Sequence, residues 1–74
     1  MHIFVTDKHG ETTSLDVSPM DTVESLKKQI EQIHPELPAE RQVLIFQGVY
    51  MKNKRTLAES KVIRDSTLRV VLAG

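Results

Sequence analysis

The sequence has no cysteine and no long apolar run. The absence of cysteine excludes disulfide bonds, thiolate metal ligands and a cysteine nucleophile, and it is typical of proteins in a reducing compartment. No segment approaches the roughly 20 apolar residues of a membrane span, and residues 1–5 lack the basic start and long apolar stretch of a signal peptide. We therefore expect a cytoplasmic or nuclear protein without a membrane partner.

The chain also lacks an excess of charge of either sign. Its ten Lys and Arg residues equal its ten Asp and Glu residues, so it has no basic footprint and we expect no nucleic-acid partner. With 74 residues the chain is near the lower size limit for a single hydrophobic core. We expect one domain over residues 1–74, with room for a sheet and a helix but not for a deep substrate cleft.

Residue types that carry catalysis or hold metals are scattered along the chain. The three histidines, His2, His9 and His34, have no second histidine or carboxylate at ligand spacing, so we expect no metal site. No serine stands beside an elbow glycine or a histidine partner. The three glycines stand far apart, which excludes a glycine-rich phosphate loop. We expect neither an enzyme nor a cofactor.

The first part of the chain has the pattern of a β-hairpin. Residue types typical of strands fill Met1 to Asp7, and alternation recurs over Thr12 to Val17, which predicts two strands. Gly10 lies between them and readily takes the positive φ angle of a bulged hairpin loop. The alternation predicts that Phe4 points away from the core.

A helix is predicted next. From Val23 the apolar residues recur with helical period, which predicts a helix of about three turns. Asp21 or Thr22 can cap its start, and Asp21 with Glu24 has the spacing of a capping box. His34 ends the helix because it precedes a proline. The apolar residues of the predicted helix are Val23, Leu26, Ile30 and Ile33.

The remainder of the chain contains its most apolar stretch. Arg41 to Phe46 is predicted to be the central strand, and Gly48 permits a tight turn into a short strand, Val49-Tyr50. We expect a single helical turn over Thr56 to Ser60. Thr67 to Leu72 has the alternation of a final strand.

This order of elements predicts an α+β domain in which one helix packs across one face of a mixed sheet. If Leu44 faces the helix, strand alternation puts Val43 and Ile45 on the opposite face. Val71 points outward on the last strand by the same rule. The predicted core residues are Met1, Ile3, Val5, Leu15, Val17, Val23, Leu26, Ile30, Leu44, Leu57, Val62, Leu68 and Val70.

The outward apolar residues predict a partner surface. Isolated exposed apolar residues are common and need no explanation. If the last strand lies beside the central one, however, these aliphatic residues join Val49-Tyr50 in one patch, and a contiguous patch on a small protein marks an interaction site. Lys8 and Arg69 rim the patch, which favours a partner with acidic flanks.

The chain matches one known family segment by segment, from its first residue almost to its last. The matching segments are Met1-His2-Ile3-Phe4-Val5, Gly10, Leu15-Asp16-Val17, Pro19, Asp21-Thr22-Val23-Glu24, Lys27, Ile30, Leu37-Pro38, Leu44-Ile45-Phe46-Gln47-Gly48, Arg55-Thr56-Leu57, Ser66-Thr67-Leu68 and Val71-Leu72. They resemble ubiquitin, with one extra residue between Ile30 and Leu37. The resemblance implies the ubiquitin-like β-grasp fold and a role as a recognition module read by other proteins.

The resemblance also implies a binding patch. The main binding patch of the family corresponds to Lys8, Ile45, Gly48, Arg69 and Val71. Three residues around it, Val43, Val49 and Tyr50, stand where ubiquitin has charged or polar side chains. Together these residues form the predicted partner-binding set, and its more apolar centre implies a ligand preference different from that of ubiquitin.

The end of the chain departs from the family. Ubiquitin has a basic tail ending in two glycines whose carboxylate is joined to lysine, whereas this chain ends in Leu72-Ala73-Gly74. We expect an unconjugated interaction domain, the amino-terminal module of a longer protein, that docks as a monomer on ubiquitin-binding domains and proteasomal receptors. Two alternatives stay open: a stand-alone modifier conjugated through Gly74, and a regulatory domain within a ubiquitin-pathway enzyme.

A further departure concerns the loop before the last strand. Ubiquitin has a tyrosine there that packs and hydrogen-bonds to a neighbouring turn, and this chain has Ser60. Unless Tyr50 or another group replaces that tyrosine, we expect the loop to be looser than in ubiquitin.

Overall fold

Five strands and one helix form the fold in the computed structural model, which describes residues 1–74. The elements are β1 (His2–Thr6), β2 (Thr12–Asp16), α1 (Val23–Ile33), a 3₁₀ turn (Ala39–Arg41), β3 (Gln42–Phe46), β4 (Val49–Tyr50) and β5 (Thr67–Leu72). The strands form one sheet in the order β2-β1-β5-β3-β4, in which only β1 and β5 are parallel. Helix α1 packs across one face of this mixed sheet, so the predicted α+β architecture is confirmed.

The β1–β2 hairpin is held by a side chain as well as by its strand pairing. The carboxylate of Asp7 accepts hydrogen bonds from the backbone N–H groups of His9 and Glu11, with N···O distances of 2.9 and 3.0 Å. Gly10 has a φ of 80°, a left-handed conformation that glycine adopts without steric cost. The predicted glycine-containing loop is confirmed.

Helix α1 is capped by Thr22. The Thr22 hydroxyl accepts a hydrogen bond from the backbone N–H of Ser25 at 3.1 Å. The carboxylate of Asp21 instead accepts from the backbone N–H of Ser18 at 2.9 Å, so the predicted capping box starting at Asp21 is wrong. The helix ends at Ile33, one residue before His34 and the proline that follows it.

Thirteen buried side chains form one hydrophobic core between the sheet and α1. Each buried aliphatic side chain contributes about 1.5–3 kcal/mol relative to exposure, which makes this cluster the main source of stability. The predicted core differs in two places, since Met1 is only half-buried and Phe46 belongs to the core. Ile33 has helical spacing but is 49% exposed, so the buried stripe of α1 ends one turn earlier at Ile30.

The segment from Thr56 to Ser60 forms hydrogen-bonded turns. The backbone N–H of Ser60 donates to the carbonyl of Thr56 at 3.1 Å, which is a single hydrogen bond of the α-helical type. Lys61 then takes a φ of 68°, so the chain leaves the helical conformation. The expected single helical turn thus corresponds to one hydrogen bond of the α-helical type. It is not continued into a helix, and the segment is classed as a turn.

Gln42 is the buried polar residue of the core and is 2% exposed. Its side-chain amide donates to the backbone carbonyls of Lys27 and Leu37 at 2.9 and 2.8 Å. These bonds join β3 to α1 and to the connector that follows the helix. The Oε1 atom of Gln42 has no hydrogen-bond partner. Apolar periodicity does not predict this residue, because its role depends on which backbone carbonyls meet in space.

Replacing Gln42 by glutamate keeps the shape of the side chain but removes the donor that faces two carbonyl oxygens. A buried carboxylate in that position is strongly unfavourable, so we expect Gln42→Glu to lower the free energy of unfolding by about 3 kcal/mol or more at neutral pH. Urea denaturation followed by circular dichroism measures this change. Gln32→Glu, at an exposed position of α1, is the matched control and should change stability by less than about 0.5 kcal/mol. Equal midpoints for the two variants would contradict the structural role of Gln42.

Candidate protein-docking site

The pairing of β3 with β5 defines the outer face of the sheet. Val43 lies opposite Val71, and Ile45 lies opposite Arg69. Residues directly opposite each other in an antiparallel pair project from the same face. Leu44, between the two outward residues of β3, is completely buried in the core, whereas the outward aliphatic residues are half-buried. We call Val43, Ile45 and Val71 the outer strip; it lies on the face that α1 does not cover.

Strand β4 adds one of its two residues to the outer strip. Tyr50 lies opposite Ile45 and is 72% exposed, so it projects from the outer face beside the strip. Val49 lies opposite Phe46, whose side chain belongs to the core. Contrary to expectation, Val49 does not share the face of Ile45, because adjacent residues of a strand alternate. It projects from the other side of β4 and is 65% exposed there.

A two-residue turn connects β3 to β4. Gln47 and Gly48 have φ angles of 52° and 78°, and consecutive positive φ values are typical of the turn whose twist matches a β-hairpin. A side chain at Gly48 would meet no atom within 4 Å, so the glycine is favoured by its backbone conformation. Gly48 is exposed next to the outer strip, where its lack of a side chain leaves the surface open.

Lys8 and Arg69 place positive charge next to the outer strip. Arg69 lies beside Thr6 on the neighbouring β1 strand. Lys8 lies in the hairpin loop, where it lines an open groove of about 430 Å³ together with Val71 and Leu72. Three acidic residues, Asp7, Glu11 and Glu36, line the same groove. No Asp or Glu carboxylate lies within 4.0 Å of either cation. Both side chains are therefore available to an acidic partner.

The end of β5 is fastened to the residue before β3. The backbone N–H of Ala73 donates to the carbonyl of Arg41 at 2.7 Å. The Arg41 guanidinium donates in return to the Ala73 carbonyl, from Nη2 at 3.0 Å and from Nε at 3.3 Å. Gly74 is the exposed residue that follows. The sequence pattern did not predict the contact between Arg41 and Ala73. The only signal for it is that Arg41 directly precedes β3, the strand that pairs with β5.

The loop before β5 is held by Glu59. Its carboxylate accepts hydrogen bonds from the backbone N–H of Thr56 at 2.9 Å and from the Thr56 hydroxyl at 3.1 Å. The backbone N–H of Glu59 donates to that hydroxyl at 3.1 Å, which closes the arrangement. These hydrogen bonds, the backbone one foremost, lower the pKa of Glu59. Ser60 makes no side-chain hydrogen bond of this kind, and its predicted looseness relative to ubiquitin stays a prediction.

Other kinds of site find no support in the side-chain arrangement. No group of three His, Asp or Glu side chains is placed to hold a metal ion. His34 is engaged locally, with Nε2 at 2.8 Å from the Thr13 hydroxyl and Nδ1 at 3.3 Å from the Glu36 carboxylate. No helix of the structure combines the length and apolar character that crossing a membrane requires.

A mixed five-stranded sheet packed on one helix, with an apolar strip on its free face, defines a small domain of the β-grasp class. The model of the ubiquitin family matches residues 3–73. The chain belongs to the ubiquitin family.

One curated relative is a protein of Oryza sativa subsp. japonica named "Probable ubiquitin receptor RAD23". It is 36% identical to this chain over 74 aligned residues, which cover 97% of the chain and 19% of the relative. The chain thus spans about a fifth of the length of that relative. Its name describes a receptor, which is in coarse agreement with an interaction domain.

Glu59 makes the stability of the loop dependent on pH. Because the hydrogen bonds hold its folded-state pKa below the ordinary 4.5, the stabilisation is present above that value and is lost as the pH falls through the lower, folded-state pKa. As the pH falls below about 4.5, we expect Glu59→Gln to lose less stability than the parent chain, because it has no carboxylate at this position to protonate. Thermal unfolding at a series of pH values, with Glu11→Gln as the exposed control, tests this. An identical acid dependence in the parent chain and Glu59→Gln would contradict it.

Proposed function

We propose that this chain is a ubiquitin-like interaction domain that docks, without being conjugated, on ubiquitin-binding domains and proteasomal receptors. The observation that carries the proposal is the outer strip of Val43, Ile45 and Val71 on the uncovered face of the sheet. Contiguous apolar surface of this kind on a small domain is typical of a protein interaction site. In this proposal the domain is non-catalytic and acts as a monomer.

The charges beside the outer strip indicate the chemistry of the partner. Lys8 and Arg69 have no carboxylate within 4.0 Å, so an acidic partner can pair with both without breaking an existing ion pair. Central apolar contacts supply most of the affinity in such interfaces, while rim charges govern approach and selectivity. An amphipathic helix whose apolar face is flanked by Asp and Glu residues satisfies both requirements.

The relative extends the proposal to the setting of the domain. The protein from Oryza sativa subsp. japonica is named a ubiquitin receptor, and the matching part is 19% of its length. By this likeness we propose that the chain is one module of a longer protein of the ubiquitin–proteasome pathway, in the cytoplasm or the nucleus. A regulatory domain of a ubiquitin-pathway enzyme would use the same surface and differ only in what is attached.

The main competing function is conjugation through Gly74. Conjugation requires the terminal carboxylate to enter the active site of an activating enzyme, which is easiest for an extended, mobile tail. Here the carbonyl of Ala73, one residue before Gly74, accepts two hydrogen bonds from Arg41. This attachment favours the unconjugated domain over the modifier.

Removing the centre of the outer strip should weaken partner binding. We expect Ile45→Ala to reduce affinity for an acidic ubiquitin-interacting helix by about 1–3 kcal/mol, the range of a central apolar anchor. Titration of the isotopically labelled domain, monitored by chemical shifts, measures the dissociation constant and the residues involved.

The matched control is Ile63→Ala, because Ile63 is also an exposed isoleucine, at 69% exposure, and lies outside the outer strip. We expect this variant to bind with the affinity of the parent chain. Equal losses in the two variants, or no shifts around Ile45 and Val71 at millimolar helix concentration, would refute docking through this face.

A chain ending at Gly74 should form neither a reducible thioester nor a lysine adduct when incubated with cell extract and ATP. Ubiquitin in the same extract is the positive control for activation. An adduct that disappears when Gly74 is removed would instead support the modifier and count against the proposed function.

A further inference from the structure

A second apolar surface lies on the other side of β4 from the outer strip. It is a hollow of about 190 Å³, which we call the β4 hollow. Its apolar lining comes from Phe46 at the end of β3, from Val49 and from Met51 directly after β4, while Tyr50, which projects from the outer face, borders it. The residues that line it are Phe46, Val49, Tyr50, Met51, Lys52, Arg55, Glu59 and Ser60.

The β4 hollow is a shallow depression that is open to solvent. Ser60 contributes only a small side chain to the lining, and Phe46 belongs to the core and is 9% exposed. Val49 and Tyr50 are 65% and 72% exposed. They are two of the five large apolar residues that the whole chain exposes. Apolar side chains are thus left uncovered beside an unfilled space, as in a site that receives a partner's side chain.

The rim of the β4 hollow is positively charged. Lys52 and Arg55 line the hollow, and Lys54 lies between them in the loop after β4. All three are exposed, and no carboxylate lies within 4.0 Å of any of them. Glu59 is the acidic residue that lines the hollow, and its carboxylate is engaged by Thr56. Glu59 offsets part of this charge because Arg55 acts on it electrostatically, although no carboxylate lies within 4.0 Å of a rim cation.

The loop that carries these cations is fixed to α1. The backbone N–H groups of Val23 and Glu24 donate to the carbonyls of Arg55 and Asn53 at 2.9 and 3.1 Å. The Nζ atom of Lys27 donates to the side-chain oxygen of Asn53 at 2.6 Å. Because the loop is anchored in this way, a partner would not have to order it, and less conformational entropy is lost on binding.

We propose that the β4 hollow is a second docking site, which takes one large apolar side chain from a peptide segment flanked by acidic residues. The volume of the hollow, about 190 Å³, exceeds the roughly 150 Å³ of an enclosed apolar cavity that binds benzene, so a phenylalanine or leucine side chain can rest in it with one side facing solvent. The buried anchor supplies affinity, and the flanking carboxylates pair with the free cations of the rim. Tyr50 lies between this site and the outer strip, while Val49 belongs to the hollow.

The experiment is a chemical-shift titration of the labelled chain with the synthetic peptide acetyl-Glu-Glu-Phe-Glu-Glu-amide. We expect saturable shifts at Phe46, Met51 and Ser60, and their loss when alanine replaces phenylalanine in the peptide. Ser60→Tyr fills the hollow and should weaken binding at least about tenfold. Ser14→Tyr adds the same side chain at an exposed position of the distant edge strand β2 and should leave binding unchanged.

Two further variants separate this site from the outer strip and guard against misfolding. Ile45→Ala should leave the affinity for this peptide unchanged, because Ile45 belongs to the outer strip and not to the hollow. The test of the hollow can therefore fail while the proposed function stands, and the reverse. If Ser60→Tyr does not give the spectrum of a folded chain, Val49→Ser, at an exposed position, replaces it and should also weaken binding.

Three results would overturn the proposal. Shifts confined to residues 52–55, and equal for the phenylalanine and alanine peptides, would mean that only charge attraction operates. Shifts centred on Ile45 and Val71 would place the peptide on the outer strip. Full affinity in a folded Ser60→Tyr variant, or in Val49→Ser, would show that the hollow receives no side chain.

Discussion

The register of β3 against β5 is the constraint on which the rest of the structure depends. It pairs Leu44 with Val70 inside the core and Val43 with Val71 outside it. A slip of one residue would exchange the two sets, because side chains alternate between the faces of a strand. The contacts between Arg41 and Ala73 hold this register at one end of the strand pair.

The same constraint gives a domain of zero net charge two surfaces of similar chemistry. The outer strip consists of half-buried aliphatic residues, whereas the β4 hollow is lined by the exposed Val49 and bordered by the exposed Tyr50. Both lie beside cations that have no carboxylate within 4.0 Å. In a chain with a single core, the sheet that builds the core also carries the proposed docking surface. Substitutions at Ile45 and Val71 should therefore alter binding more than folding, whereas those at Leu44 and Val70 act on folding.

Most of the fold and part of the site follow from the sequence, because periodicity reports the direction of side chains. It located the five strands, the helix and the outward residues of β3 and β5. It failed at Val49, which was expected to share one patch with Tyr50. The two-residue turn places Val49 opposite Phe46 and Tyr50 opposite Ile45, so the two β4 side chains project from opposite faces. It also missed Gln42 and Arg41, whose hydrogen bonds go to backbone carbonyls that are distant in sequence. No local pattern indicates which carbonyls meet after folding.

The most direct test of docking through the outer strip is methyl cross-saturation in a complex of the deuterated, methyl-labelled domain with a purified proteasomal receptor subunit. Irradiating the receptor should attenuate the methyl signals of Val43, Ile45 and Val71, which lie on the outer face. The signal of Ile63, exposed elsewhere on the domain, should keep its intensity. Uniform attenuation, or attenuation that spares Ile45, would contradict the assignment of recognition to this face.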